Sequence, residues 1–256
     1  VTYVTEDTTR SSPETLRELF LAAIEHGASR LCVCDTVGHA TPDGVRRLIA
    51  FTKEVIKESG ADVKIDWHGH RDRGLAVINS LVALEAGADR VHGTAAGIGE
   101  RVGNTAIDQV LVNLKLDGII DWDLTKLVEF VQTVAKATKV DIPINYPLVG
   151  EDAFRPATGV HAAAIIKAKR RNDEWLADRV YSAVPAAEFG KAQTIDVGPM
   201  SGMANVLYWL EQQKEPADEE LGRFILERAK SSSRTLSEAE MHEAIRAYRA
   251  LPSTGS

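Results

Sequence analysis

The chain has 256 residues, 44% of them hydrophobic and 26% charged, a globular composition that excludes a disordered or fibrous protein. Thirty Lys and Arg stand against 37 Asp and Glu, a net charge of −7 that argues against nucleic acid or an anionic membrane as partner. No apolar run approaches the roughly 20 residues that span a bilayer and no signal pattern opens the chain, so a cytoplasmic location is expected.

Four apolar runs read as buried strands: Val1–Thr5, Arg30–Cys34, Val63–Trp67 and Arg90–Thr94. They start about 30 residues apart, the length of a strand plus a crossover helix. Helices fit between them. Ser12-Pro13 and Thr41-Pro42 are N-cap and first-turn pairs, with stops at Gly27 and near Gly60. A third amphipathic segment runs from Gly74 to Gly87, and a fourth from about Val102 to Leu116. Alternating βα units predict a parallel sheet with helices outside. Val4, Val33 and Ile65 are then expected to form an apolar layer on the side facing away from the helices. The two cysteines, Cys32 and Cys34, alternate on one predicted strand and face the same side, and reduced core thiols are expected there.

After Gly118 the rhythm changes. Asp123 is expected to cap a helix reaching Thr138, and residues 140–150 hold two prolines and read as a linker. Residues 151–212 mix short helices with irregular structure. A charged helix is predicted over about 217–231, and Ser237-Glu238-Ala239-Glu240 is a capping box for a last one. Pro252–Ser256 is expected to fray. The predicted division is 1–118, a half-barrel carrying the metal-site residues; 119–150, a helical linker; 151–212, a subdomain; and 213–256, a helical subdomain.

Chemistry concentrates at the predicted strand ends. His68-Gly69-His70 closes the third strand, and residues i and i+2 of a strand share a side, so both imidazoles can reach one point. In a βα barrel the C-terminal strand ends carry the active site, which points to a divalent metal. Glu6-Asp7 ends the first strand, Asp35-Thr36 the second, and Gly97–Arg101 with Asn104 follows the fourth. Each of these alone also fits a helix cap or a loop residue.

The string His68-Gly69-His70-Arg71-Asp72-Arg73-Gly74-Leu75-Ala76, the Gly97–Arg101 run and Asp35-Thr36-Val37-Gly38 resemble the alpha-isopropylmalate/homocitrate/citramalate synthase family. Glu6-Asp7 with Arg10, Pro147–Gly150 with Ala153-Phe154, and Gly159-Val160-His161 extend the resemblance over about residues 1–210. It implies a TIM (β/α)8 barrel enzyme condensing acetyl-CoA with a metal-bound 2-oxo acid, with 3-methyl-2-oxobutanoate first, then pyruvate and 2-oxoglutarate. By resemblance His68 and His70 are ligands of Zn²⁺, Mg²⁺ or Mn²⁺, Asn104 is a weaker ligand, and Thr36 contacts the oxo acid. Glu6, His161 and Tyr181 are catalytic. From the residues alone, Glu6 equally reads as a cap, His161 as an interior helix histidine and Tyr181 as a core residue.

Arg71 stands where the family usually carries Asp or Asn, and Pro156-Ala157-Thr158 replaces a usual His-Glu-Ser. The family's first strand, with its Arg-Asp pair, has no counterpart in these residues. Val1 then corresponds to the start of the fifth of eight strands, and four βα units form the C-terminal half of the barrel. That implies an N-terminal-half polypeptide as partner, in a homodimer or heteromer formed through residues 119–256. A metal-dependent lyase resembling hydroxymethylglutaryl-CoA lyase, and a non-catalytic subunit, are the alternative readings.

Overall fold

The structure, a computed structural model, describes residues 1–251. They form two compact units, one of residues 1–122 and 129–142, the other of residues 123–128 and 143 onward.

The first unit is a parallel sheet of four strands in sequential order: β1 (Thr2–Thr5), β2 (Arg30–Asp35), β3 (Lys64–Gly69) and β4 (Arg90–His92). Helices α1 (Pro13–Glu25), α2 (Pro42–Ser59), α3 (Ala76–Ala86) and α4 (Ile107–Leu116) follow the strands in turn. This is the predicted α/β architecture of four consecutive βα units. The N-caps are those expected from sequence: Ser12 accepts from Thr15 N, Thr41 accepts from Gly44 N, and each is followed by proline. Two ends differ. β4 stops at His92, and α4 starts only at Ile107 because residues 94–106 fold back as an ordered loop, with Thr94 bridging to Ala106.

The two sheet faces differ in kind. Leu31 packs with Leu16, Phe20 and Val55, while Val33, Ile65 and Trp67 pack with Val45, Ile49 and Val82 of the helices. Burial of this side, centred on the fully enclosed Trp67, stabilises the unit by roughly 25 cal/mol per Å² of apolar area.

The expected apolar layer on the other face is not there. Val33 and Ile65 point to the helices, and Val4 is 60% exposed. Strand alternation instead sends Arg30, Cys32 and Cys34 of β2, Asp66 and His68 of β3, and Arg90 and His92 of β4 to the non-helical face.

The second unit is helical. The 127–138 helix, α5 (Leu127–Thr138), spans the boundary between the two residue ranges. Asp123 accepts from Thr125 N in the turn ahead of α5. Beyond it come α6 (Gly159–Lys169), α7 (Glu174–Arg179), α8 (Met203–Gln212), α9 (Glu219–Lys230) and α10 (Glu238–Arg249). One core joins Ala162, Ile165 and Ile166 to Ala177 and Ile195; another joins Leu210, Leu221, Ile225, Met241 and Ile245. The Ser237 capping box forms in both directions with Glu240. The fraying expected for Pro252–Ser256 lies outside the described residues. No helix among the described residues is long and apolar enough to cross a membrane.

Candidate active site

Strand register assembles the site. Cys34, His68 and His92 occupy adjacent paired positions on β2, β3 and β4. The His68 ring stands edge-on to His70, centroids 5.2 Å apart, and lies 5.7 Å from His92. The predicted histidine pair is therefore brought together, and a third imidazole joins it. His92 escaped the sequence reading because nothing in one strand announces its register with another. Its signal is its place two residues after Arg90, across from the Asp66-x-His68 alternation.

His70 lies just past β3, held by its own N–H to Asp35 O at 3.2 Å and by an antiparallel bridge to Asn104. Thr105 N donates to Gly69 O at 3.0 Å, which fixes the Asn104 strip against β3. Asn104 Nδ2 donates to Ile98 O at 3.2 Å, so its Oδ1 is the atom left over. His70 Nδ1 and Asn104 Oδ1 are both buried without a hydrogen-bond partner. Buried polar atoms are almost always paired, so two orphans on bridged residues mark a place that a cation or a hydrogen-bond donor would satisfy.

The loop that delivers Asn104 is shaped by glycine and by two arginines. A Cβ on Gly99 would sit 2.2 Å from Asn104 Nδ2, and one on Gly103, at φ +111°, would sit 2.0 Å from Gly97 O. Arg71 bonds Val102 O, and donates to Ala96 O at 3.1 Å, bracing this loop from within. Arg101 forks onto Asp72, with Nε–Oδ1 at 2.9 Å and Nη2–Oδ2 at 3.0 Å, and also donates to Thr36 O at 2.7 Å. Asp72 is thereby held below the ordinary carboxylate range by the Arg101 hydrogen bonds.

Electrostatics on this face favour a neutral His68. Burial, then the neighbouring charges of His70 and His92, pushes its pKa below the ordinary histidine value. A neutral imidazole is the form that ligates a metal. His92 moves the other way. Its contact with Cys32 Sγ, at 3.9 Å from Nδ1, and the Asp66 carboxylate, at 3.4 Å from Nε2, favour its protonated form over the cost of burial.

Asp66 is fully buried and receives Arg30 Nε at 2.8 Å together with Arg90. Burial would raise its pKa, yet the two guanidiniums outweigh that and hold it low. Cys32 and Cys34 are free, buried thiols with sulfurs 3.8 Å apart. The Cys34 hydrogen bond, and then burial, pushes the Cys32 thiol far up.

The other sequence candidates are placed as follows. Asp35 is buried and accepts from His39 N at 2.8 Å, Ala40 N at 3.2 Å and Thr9 Oγ1 at 3.2 Å, which makes it the cap of the loop after β2. Thr36 Oγ1 accepts from Asp7 N at 2.8 Å, linking the loops after β1 and β2 and leaving its hydroxyl proton to donate. Glu6 is exposed and lies two residues beyond Val4, which pairs with Cys32 of β2. In the second unit His161, near the start of α6, stacks on Tyr181 with centroids 4.1 Å apart and planes at 29°.

The donor set fits a metal ion in part. His68, His70 and the Asn104 amide oxygen supply three donors, two of them on residues with an orphaned buried atom. Among the described residues no group of three or more His, Cys, Asp or Glu is arranged to hold a metal.

Residues 1–137 match the HMGL-like family. A probable 2-isopropylmalate synthase of Methanopyrus kandleri is 37% identical over 228 residues, 88% of this chain and 43% of that protein. The homocitrate synthase AksA of the same organism is 36% identical over 233 residues, 90% of this chain and 55% of that protein. A putative (R)-citramalate synthase, CimA, of Methanothermobacter thermautotrophicus is 44% identical over 164 residues, 63% of this chain and 32% of that protein. The chain spans about half, or less, of the length of the curated relatives it matches.

Proposed function

The chain belongs to the HMGL-like family, and we propose that it acts in a metal-assisted condensation of acetyl-CoA with a 2-oxo acid. The observation that carries the reading is the meeting of His68, His70 and the orphaned Asn104 Oδ1 at the C-terminal end of a parallel sheet. In this reading these three residues hold a divalent ion, for which Zn²⁺, Mg²⁺ and Mn²⁺ are all chemically suitable. Such an ion, when bound, makes the carbonyl carbon of a chelated 2-oxo acid electrophilic.

The chain's own residues then divide the remaining work. Thr36, with its hydroxyl proton free, donates to the oxo acid at the rim. A methyl proton must leave acetyl-CoA, and the developing enolate oxygen needs a donor. His161, Tyr181 and Glu6 are the three groups assigned to that proton handling, with the Tyr181 ring stacked on His161 to orient the imidazole. The relatives named for isopropylmalate, homocitrate and citramalate synthesis support the class of reaction. The preferred oxo acid is 3-methyl-2-oxobutanoate, in the direction of leucine biosynthesis.

We also propose that strands from outside these 256 residues, carrying an Arg-Asp pair, cover the polar face of the sheet, on this polypeptide or on a partner. The support is the solvent-exposed Val4 and the span of only about half of the curated relatives' length. A dimer formed through residues 119–256 is part of the same reading.

The test is coenzyme A release from acetyl-CoA with 3-methyl-2-oxobutanoate, pyruvate and 2-oxoglutarate, by the chain alone and with a polypeptide bearing the Arg-Asp strand. Release that requires both the oxo acid and the added strand supports the reading. Cleavage of a 3-hydroxyacyl-CoA with no condensation in any mixture would replace it with a lyase.

A further inference from the structure

The loops after β1, β2 and β3, together with the first turns of α1 and α2, enclose a cleft of about 520 Å³. It opens on the helical side of the sheet, the face opposite the histidines, since Leu16 in its floor packs with Leu31 and Phe20. Ala40, Leu48 and Phe51 complete that apolar floor, and the wall carries three cationic or titratable bases, His39, Arg47 and Arg73. The Thr9 and Ser11 hydroxyls are already spent, Thr9 on Asp35 Oδ1 at 3.2 Å and Ser11 on the Asp7 carbonyl at 3.0 Å. No carboxylate lines the cleft.

The Asp35 carboxylate lies behind the wall, taken by His39 N, Ala40 N and Thr9 Oγ1, and the other nearby carboxylates are engaged as well. Asp7 is forked by Arg10, with Nε–Oδ1 at 2.8 Å, and Asp43 is taken by Arg46. Arg46 also reaches Glu85, whereas its neighbour Arg47 makes no hydrogen bond or ion pair among the described residues. Arg73 spends one N–H on His39 O at 2.8 Å, which pins the loop after β3 to the loop after β2 and leaves most of its fork unused. The helix starts themselves are already satisfied by Ser12 and Thr41, so the unmet positive charge resides in the side chains.

We propose that this cleft is a second ligand site, for a small phosphate monoester with an apolar body. Two guanidiniums and an imidazole suit a dianionic head with three acceptor oxygens better than a carboxylate with two. Phe51 and Leu48 give the body a flat and an aliphatic surface. The volume lies within the range of about 300–1,000 Å³ that small-molecule sites occupy.

Phenyl phosphate titrated into the full chain, followed by calorimetry and by the NMR shift of the His39 ring, tests this. Saturable binding at one site is expected, weakened at least tenfold in Arg47→Gln and in Arg73→Gln, and partly restored in Arg47→Lys. Inorganic phosphate and benzoate should each bind at least tenfold more weakly than phenyl phosphate. The double variant His68→Ala, His70→Ala should bind phenyl phosphate as the parent does. Leu48→Ala should weaken phenyl phosphate and leave inorganic phosphate unchanged, a comparison that stands even if an arginine variant folds poorly. Absence of saturation, indifference to both arginine variants, equal affinity for benzoate, or loss in the histidine double variant would each overturn the assignment.

Discussion

His70 Nδ1 and Asn104 Oδ1 belong to residues bridged to each other across the loop after β3, and both atoms are buried without a hydrogen-bond partner. Leaving one such atom unsatisfied costs about 1–3 kcal/mol, so two on bridged residues are a standing cost that the cation proposed for this site would remove.

Metal content is the direct check. His68→Ala and His70→Ala are each expected to lower affinity for Zn²⁺ or Mn²⁺ by at least ~10-fold, and Asn104→Ala by less. Equilibrium dialysis with elemental analysis reads this out. Unchanged stoichiometry in both histidine variants would remove the metal from this site.

Gly99→Ala should act on metal binding without touching a ligand. The added Cβ would meet Asn104 Nδ2 at 2.2 Å and force the amide to move. The expected result is Asn104→Ala-like metal affinity with the thermal midpoint little changed. A variant that binds metal like the parent would show that Asn104 is not a ligand.

His161→Ala and Tyr181→Phe are expected to lower coenzyme A release, by on the order of 10²–10⁴-fold for the imidazole, while metal content stays at the parental level. Loss of metal in proportion to activity would reassign His161 to structure. Glu6→Gln belongs in the same series, with lowered coenzyme A release at parental metal content expected.

Asp66→Asn removes the carboxylate charge shared by Arg30, Arg90 and His92. Breaking a buried pair costs about 3–5 kcal/mol, discounted here because Arg90 is half exposed and can turn to water, so roughly 1–3 kcal/mol is expected. The folded-state pKa of Asp66 is depressed. Its contribution is therefore present above the unfolded carboxyl value and lost as pH falls through the lower folded one. Urea unfolding of parent and variant at neutral and at acid pH should show the gap shrinking toward acid. A gap independent of pH would contradict the ion-pair account.

Glu240 gives a sharper pH window. The Arg234 hydrogen bond, then those from Ser237, holds its carboxyl at about 2 against an ordinary 4.5. Stability from this cap is fully present above about 4.5 and fades as pH falls toward 2. The difference in melting temperature between parent and Glu240→Gln should be constant from neutral pH to about 5, then close toward pH 2. A difference that widens on acidification would refute the assignment.

Local chemistry made much of this protein legible from sequence. The βα rhythm, the Ser12-Pro13 and Thr41-Pro42 helix starts and the Ser237–Glu240 box are written in adjacent residues, and so is the meeting of His68 with His70, because i and i+2 of a strand share a face. What needed the tertiary structure is whatever depends on a neighbouring strand or loop. A period of two separates Val33 from Cys34 but does not say which face meets the helices, and it is the Val33 face that packs on them. His92 enters the site through its register with His68, and Arg71 and Arg101 brace loops about 30 residues away in sequence, or more. Hydrogen-bond register and loop packing are properties of chain segments held together in space, and no single segment carries them.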